Sequence, residues 1–514
     1  MHASLRKSAI PISLLALIVI VAAGLRLDHI TKPNLWLDEF WTLYLATGRG
    51  DSAFQLPLNT ILWPPPALGF AGAPPWWHIW NGVDSTTHPP LYHIILRLWV
   101  DLLGDGDGSI RTMSTLFSLA CVVLLYVVVL KSSGDRWQAC VAAALMALAP
   151  VQIVLSQQVR PYTMMQFIAL VAAVALLSIE QTNWSWRKLL ILALAVIALT
   201  LTHYFSVGLI AAFAAYSILR LRGKNRIAAF STIVLAAFIA AAAWGPNFLA
   251  YNRGNPLTGY GTFSNRTLPR LALSVPQRLT LESNNDQFLS ADNASWPLVI
   301  SLAIITYLIP AFRLRRHPHL LFWWLWIVGQ IGLVLMIDVA RHSTLLTIAR
   351  YTTLAAPGVY AILAVGLPSR IGNWSPPIIF FCAMIFAVDH WLLGPPNSQD
   401  LRTIANLVRP DLSPSDVVII TGNYYQAANH EPPLTYFVLS RYAGTWNSPV
   451  VFATAPLSDQ TQLRLRQYKR IWVIGIDPSR DTNKILPGWQ VHDVHGPGGS
   501  NLLWSVTPGN ARNS

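Results

Sequence analysis

The sequence predicts a polytopic α-helical membrane protein with about eleven transmembrane helices and a small C-terminal α/β domain outside the membrane. Three observations carry that reading. Hydrophobic residues make up 53% and charged residues only 11% of the 514 residues, with a mean hydropathy of +0.43, too apolar for a soluble globular chain. Apolar runs of about twenty residues, long enough to cross the bilayer as a helix, recur between residues 9 and 393. After Gly394 these runs stop, and short strand-like and helix-like stretches alternate instead.

A formal net charge of +13 does not point to nucleic acid, because the basic residues sit in short clusters between apolar runs, which is how cytoplasmic loops are marked. Nucleic acid is therefore excluded as a partner. Cys121, Cys140 and Cys382 all fall within apolar runs and show no ligand or disulfide spacing, so they read as small buried hydrophobes.

Taken in order, Leu5-Arg6-Lys7 precedes the apolar run 9–25, read as an uncleaved first span with its N-terminus cytoplasmic. Residues 27–108 then form a first external loop. Its insertion (Trp63-Pro64-Pro65-Pro66, Pro74-Pro75-Trp76-Trp77-His78) is too proline-rich for a continuous helix, and its tryptophans suit the headgroup layer. The amphipathic stretch Leu91 to Leu103, closed by Gly104, is expected on the membrane surface.

Further spans are expected at about 110–130, 138–150, 163–179, 188–202, 204–219, 227–244, 297–312, 320–338, 352–367 and 376–393. Lys131/Arg136, Arg187/Lys188, Arg220/Arg222/Lys224/Arg226, Arg313/Arg315/Arg316 and Arg370 all then fall on the cytoplasmic side. A second long external loop, 245–296, carries amphipathic Leu271 to Leu281. Residues 1–395 are thus read as one membrane domain and 396–514 as a soluble extracytoplasmic domain. In the latter, Leu401 to Val408 is expected to be a helix, Asp416 to Ile420 and Arg470 to Gly475 strands, and Trp489 to Val506 a hairpin.

The uncommon polar residues converge on the outer face. Asp38 and Glu39 form an acid pair inside Leu35-Trp36-Leu37-Asp38-Glu39-Phe40-Trp41, either a helix N-terminus favoured by the dipole or an acid pair put to chemical use. His88 precedes two prolines that fix the backbone. Ser156-Gln157-Gln158-Val159-Arg160-Pro161-Tyr162 sets a string of donors at an external helix end. Arg160 there either snorkels to headgroups or grips a phosphate with its bidentate fork. His203-Tyr204, Arg341-His342 and Arg350-Tyr351 fall on the same side. One interface lined in this way suits a lipid-borne anionic substrate.

Trp36-Leu37-Asp38-Glu39, His88-Pro89-Pro90-Leu91-Tyr92, Ser109-Ile110-Arg111, the 156–162 string, Thr202-His203-Tyr204-Phe205 and Ala349-Arg350-Tyr351 together resemble bacterial membrane glycosyltransferases of the family 39 type. These belong to the GT-C superfamily, beside protein O-mannosyltransferases and lipid A aminoarabinose transferases. The resemblance covers about residues 1–395. It implies a GT-C-like membrane domain that transfers a hexosyl or pentosyl group, with inversion, from a polyprenyl phosphate-linked sugar donor. The acceptor would be a cell-envelope lipid, glycan or protein outside the cell (inner) membrane. It implies Asp38 as general base with Glu39 as its partner. It implies Arg160 or Arg350 on the donor phosphate, with His88, Gln158, Tyr162, His203, Tyr204 and Tyr351 lining the substrate site. Two departures stand out: Gln158 replaces the Glu of many relatives, and the insertion puts fifty positions (88 − 38) between Asp38 and His88.

The chemistry agrees with that implication. Inverting transfer from a phosphodiester-linked sugar needs one base and cations for the departing phosphate, but no acid. Glycoside hydrolysis instead needs two carboxylates across the scissile bond, which sequence neighbours cannot straddle. A divalent metal is neither required nor excluded; no His or carboxylate pair has a recognised ligand spacing. A transporter or flippase for a lipid-linked or anionic solute is the alternative, but it commonly shows repeated halves, and no internal repeat is found.

Overall fold

The computed structural model of the protein describes residues 2–50, 55–82, 88–254, 267–281, 296–314, 318–365, 401–408, 412–421, 431–444, 446–475, 477–495 and 502–508. The expected span 376–393, with Arg315, Arg316, Arg370 and Cys382, lies outside the described residues. The chain divides into two compact units, Met1–Ile30 with Asp84–Pro396, and Thr31–Val83 with Asn397–Ser514. This cuts across the expected 395/396 boundary, because part of the first external loop folds with the tail.

The first unit is helical. His2–Leu27, Leu91–Leu103, Asp107–Ser133, Tyr162–Thr182, Trp186–Thr202, Ser206–Arg220, Gly223–Gly254, Thr267–Leu281 and Leu320–Arg341 follow the expected apolar and amphipathic runs. Asp107–Ser133, Tyr162–Thr182, Gly223–Leu249 and Leu320–Arg341 are each long and apolar enough to cross a membrane. Ile12–Leu27, Ser206–Arg220 and Val299–Arg313 are shorter and apolar.

The expected span 138–150 is broken instead. Arg136–Leu148 and Pro150–Ser156 meet at 59°, and the cause is local. Pro150 has no N–H for the Met146 carbonyl four residues back. Arg26, fully buried at the end of the first helix, supplies the missing donors. Its Nη2 donates to Met146 O at 2.9 Å, its Nη1 to Ala147 O at 2.7 Å and its Nε to Ser118 Oγ at 2.9 Å. Gln157 Nε2 in return donates to the carbonyls of Arg26 (3.1 Å) and Asp28 (2.9 Å), closing the end of the first helix.

At the opposite end of this bundle, the basic loops gather. Lys131 Nζ donates to Gln181, Lys188 Nζ donates to Thr182 Oγ1 and Asn183 O, Arg220 Nε donates to Glu180, and Asn225 Nδ2 donates to Asn183. The 206–220 and 320–341 helices approach closely at Gly208 and Gly329, where a Cβ built on Gly329 would stand 2.6 Å from Gly208 O. Small residues that let backbones meet are a main source of helix association where burial from water contributes little.

In the second unit, β1 (Ile61–Leu62), β2 (Asp416–Thr421), β3 (Val450–Ala453), β4 (Arg470–Gly475), β5 (Trp489–His495) and β6 (Leu502–Pro508) form one sheet in the order β1-β3-β2-β4-β6-β5. The three central strands are parallel, and the expected hairpin is β5–β6. Helices cover the sheet, so β2 is buried along its whole length. Asn59 ties the loop segment to this sheet, its Oδ1 accepting from Thr454 N at 2.9 Å and Ala455 N at 3.2 Å. Helix Leu37–Ala46 packs on helix Glu431–Ala443, with Tyr44 5.6 Å from Phe437 and Phe40 6.4 Å from Tyr442 between ring centroids.

Candidate functional site

Four breaks between helices of the first unit bring most of the expected site residues together. His88 lies just before Pro89 and Pro90, and the second of these leads into the 91–103 helix. Arg160 sits in the turn between Ser156 and Tyr162, its N–H donating to Gln158 O at 2.9 Å. His203 ends the 186–202 helix in an extended conformation. Arg350 stands on the single helical turn Ala349–Thr352.

Arg160 Nη2 donates to His88 Nε2 at 2.8 Å and to the Tyr162 hydroxyl at 3.5 Å, with its guanidinium 5.6 Å from the Tyr162 ring centroid. The His203 ring lies 5.2 Å from His88, 5.8 Å from Tyr162 and 5.1 Å from Phe205. Phe205 in turn meets Tyr351 at 5.0 Å, and the Arg350 guanidinium lies 5.4 Å from the Tyr351 ring. Arg160 and Arg350 are only 5% and 7% exposed, and His203 3%.

The electrostatics follow from that burial. His203 sits in the turn between two helices, and desolvation, helped by the nearby charges of Arg160 and Arg350, lowers its pKa to about 3. Its Nδ1 accepts from Phe205 N at 3.2 Å, which puts the proton of the neutral ring on Nε2. That Nε2–H is buried and has no hydrogen-bond partner among the described residues. A buried unmet donor is costly, and such groups persist where a ligand will satisfy them. Two guanidiniums beside a neutral imidazole with a donor to spare form a pocket chemistry for an oxyanion.

Other expected site residues sit differently. Tyr204 turns to the 223–254 helix, its hydroxyl accepting from Trp244 Nε1 at 2.9 Å and its ring 4.7 Å from Phe248. Gln158 is half-buried and reaches this cluster through its backbone carbonyl. Asp38 and Glu39 belong to the second unit, in the first turn of Leu37–Ala46. Asp38 is half-buried, while Glu39 is fully buried and its Oε2 accepts from Trp36 N at 3.2 Å, a helix-capping contact. Among the described residues, no three His, Cys, Asp or Glu side chains are placed to share a metal ion.

Two residues of this region carry roles the sequence did not single out. Phe205 bridges His203 to Tyr351, yet one more aromatic in an apolar run gives no signal. Gln157 makes contacts that hold the turn to the first helix.

Residues 87–248 match the family model described as dolichyl-phosphate-mannose-protein mannosyltransferase. No curated protein matches the chain. Among solved structures, the oligosaccharyltransferase of Archaeoglobus fulgidus, tethered to an acceptor peptide, is similar at a TM-score of 0.50 and 11% identity, over 99% of this chain and 75% of that one. Arabinofuranosyltransferase AftD from Mycobacteria gives 0.50 at 12% identity over 96% of this chain, which spans 41% of that one. ArnT from Cupriavidus metallidurans, in its structure bound to undecaprenyl phosphate, gives 0.43 at 13% identity over 95% and 97%. The fold is thus similar to that of these membrane glycosyltransferase structures. The segment similar to that mannosyltransferase family contains His88, Gln158, Arg160, Tyr162, His203 and Tyr204.

Proposed function

We propose that the protein is an inverting glycosyltransferase that moves one sugar from a polyprenyl phosphate-linked donor to a cell-envelope acceptor on the outer face of the inner membrane. The observation that carries this is the orphaned His203 Nε2–H, buried beside the guanidiniums of Arg160 and Arg350. In the reaction, a hydroxyl or amine of the acceptor attacks the anomeric carbon from the face opposite the phosphate. The bond from that carbon to the phosphate oxygen breaks, and its electron pair leaves with the polyprenyl phosphate. His203 Nε2–H, Arg160 and Arg350 donate to the phosphate oxygens, which accumulate charge as the bond breaks. The Asp38 carboxylate takes the proton of the acceptor. Glu39, occupied in capping its helix, positions Asp38 rather than reacting.

The proposal includes the eleven-span topology with a cytoplasmic N-terminus and residues 396–514 outside the cytoplasm. The gathering of Lys131, Lys188 and Arg220 at the end of the bundle opposite the 156–162 turn supports it. The purified chain, given synthetic polyprenyl phosphate sugars and an acceptor extract, should release polyprenyl phosphate and form a glycoside of inverted configuration. Transfer from nucleotide sugars alone, or retention of configuration, would contradict the reading.

A further inference from the structure

The 320–341 helix carries one acidic residue near its end, Asp338, fully buried and outside the chemistry described above. Its Oδ1 accepts from Ser343 Oγ and Leu345 N, both at 2.6 Å, and its Oδ2 accepts from Leu346 N at 2.9 Å. Its backbone carbonyl accepts from Ser343 N at 3.0 Å. His342, with φ +52, lets the chain reverse into this loop. One residue therefore fixes the whole strap 343–346 from both its side chain and its main chain. The strap runs directly into the turn Leu345–Thr347 and then into Ala349–Thr352, which carries Arg350 and Tyr351.

A helix end can close with main-chain hydrogen bonds alone, and a buried carboxylate is expensive unless its oxygens are fully used. Here they are used on successive backbone amides, at short distances that leave the strap a single conformation. We propose that Asp338 is a positioning residue that holds the 343–352 segment so that Arg350 and Tyr351 stand beside Phe205 and His203. The proposal rests on the reading of Arg350 as a donor-phosphate group, and it assigns the order in that segment to one carboxylate.

The test compares Asp338→Asn, Arg350→Ala and the double variant with wild type, by donor kinetics at saturating acceptor and by amide hydrogen exchange. Asparagine keeps the shape but offers one acceptor oxygen in place of two. Asp338→Asn should lower donor kcat/KM about tenfold, through a raised donor KM together with a lower kcat, and should add nothing in the Arg350→Ala background, because the two act through one contact. Exchange at 345–352 should quicken while the 107–133 helix keeps its protection. An unchanged donor KM with unchanged exchange overturns the proposal, and so does an equal loss with and without Arg350, the sign of a merely structural acid. If Arg350→Ala itself keeps the wild-type donor KM, the donor reading of Arg350 falls, while faster exchange in Asp338→Asn still supports the strap. Should Asp338→Asn not fold, Ser343→Ala, which removes one of the three bonds, carries the same test with a smaller shift.

Discussion

Replacing Arg160 separates a phosphate-binding guanidinium from one that only anchors the chain at the interface. Arg160 is 5% exposed, donates to His88 Nε2 at 2.8 Å and lies beside the neutral His203. A hydrogen bond to a charged group contributes about 1.5–3 kcal/mol, and a guanidinium fork on a phosphate makes two. Arg160→Ala should therefore cost about 3 kcal/mol or more, roughly a 150-fold fall in donor kcat/KM at 1.4 kcal/mol per tenfold. Arg160→Lys keeps the charge but loses the fork, and about a tenfold loss is expected. A second consequence follows at His203, whose pKa of about 3 is held down first by desolvation and then by Arg160 and Arg350. Removing Arg160 should raise that pKa, so the acid limb of kcat/KM should move to higher pH in Arg160→Ala. Initial rates with donor varied at saturating acceptor, across pH, measure both effects. Wild-type donor kcat/KM in a folded Arg160→Ala variant would refute the reasoning and leave Arg160 as an interface anchor.

Other outcomes follow from the same geometry. The folded pKa of His203 lies below its unfolded value of 6.5, so its contribution is fully present above pH 6.5 and is lost as pH falls toward 3. This one site should cost at most about 1.4 kcal/mol per pH unit in that window. His203→Gln should flatten the acid dependence of thermal stability, and an unchanged slope would mean that the ring is not held neutral. Gly208→Val drives a side chain into the Gly329 carbonyl, whereas a Cβ at Gly332 of the same helix meets nothing within 4 Å. The first should destabilise the detergent-solubilised protein by about 2 kcal/mol, and Gly332→Ala should not; equal unfolding midpoints would remove the close contact as a source of stability.

Most of the helical fold is legible because apolar runs and their terminators are local signals. Leu91–Leu103 lies between Pro90 and Gly104 as its pattern predicts, and Asp135 caps the helix that follows, accepting from Trp137 N at 2.7 Å. The break before Pro150 is harder to read, because its carbonyls are met by Arg26, far away in sequence. The two residues of β1 have no periodicity of their own, so the joining of 31–83 to the tail could not be seen. At the site, His88, Arg160, His203 and Arg350 stand out because polar residues are rare between apolar runs. Their neighbours are less legible: Tyr204 shares a motif with His203, yet its hydroxyl and ring turn to the 223–254 helix, which composition does not encode. Glu39, expected as the partner of Asp38, has its Oε2 accepting from Trp36 N at the start of its own helix, a contact set by local backbone. Asp338, which the sequence reading did not single out, is the lone acid of its apolar run, and the cost of burying it is the signal that could have found it.

The central claim is that this fold performs single-base transfer to an acceptor hydroxyl or amine, and Asp38→Asn in the polyprenyl phosphate assay tests it most directly. Asparagine keeps the shape of Asp38 in the first turn of the 37–46 helix but cannot take the proton. Turnover should fall by roughly 10²- to 10⁴-fold with donor KM little changed, while Glu39→Gln should lower turnover less. A folded Asp38→Asn variant that turns over at the wild-type rate would contradict the account and return the 37–46 helix to a purely structural role.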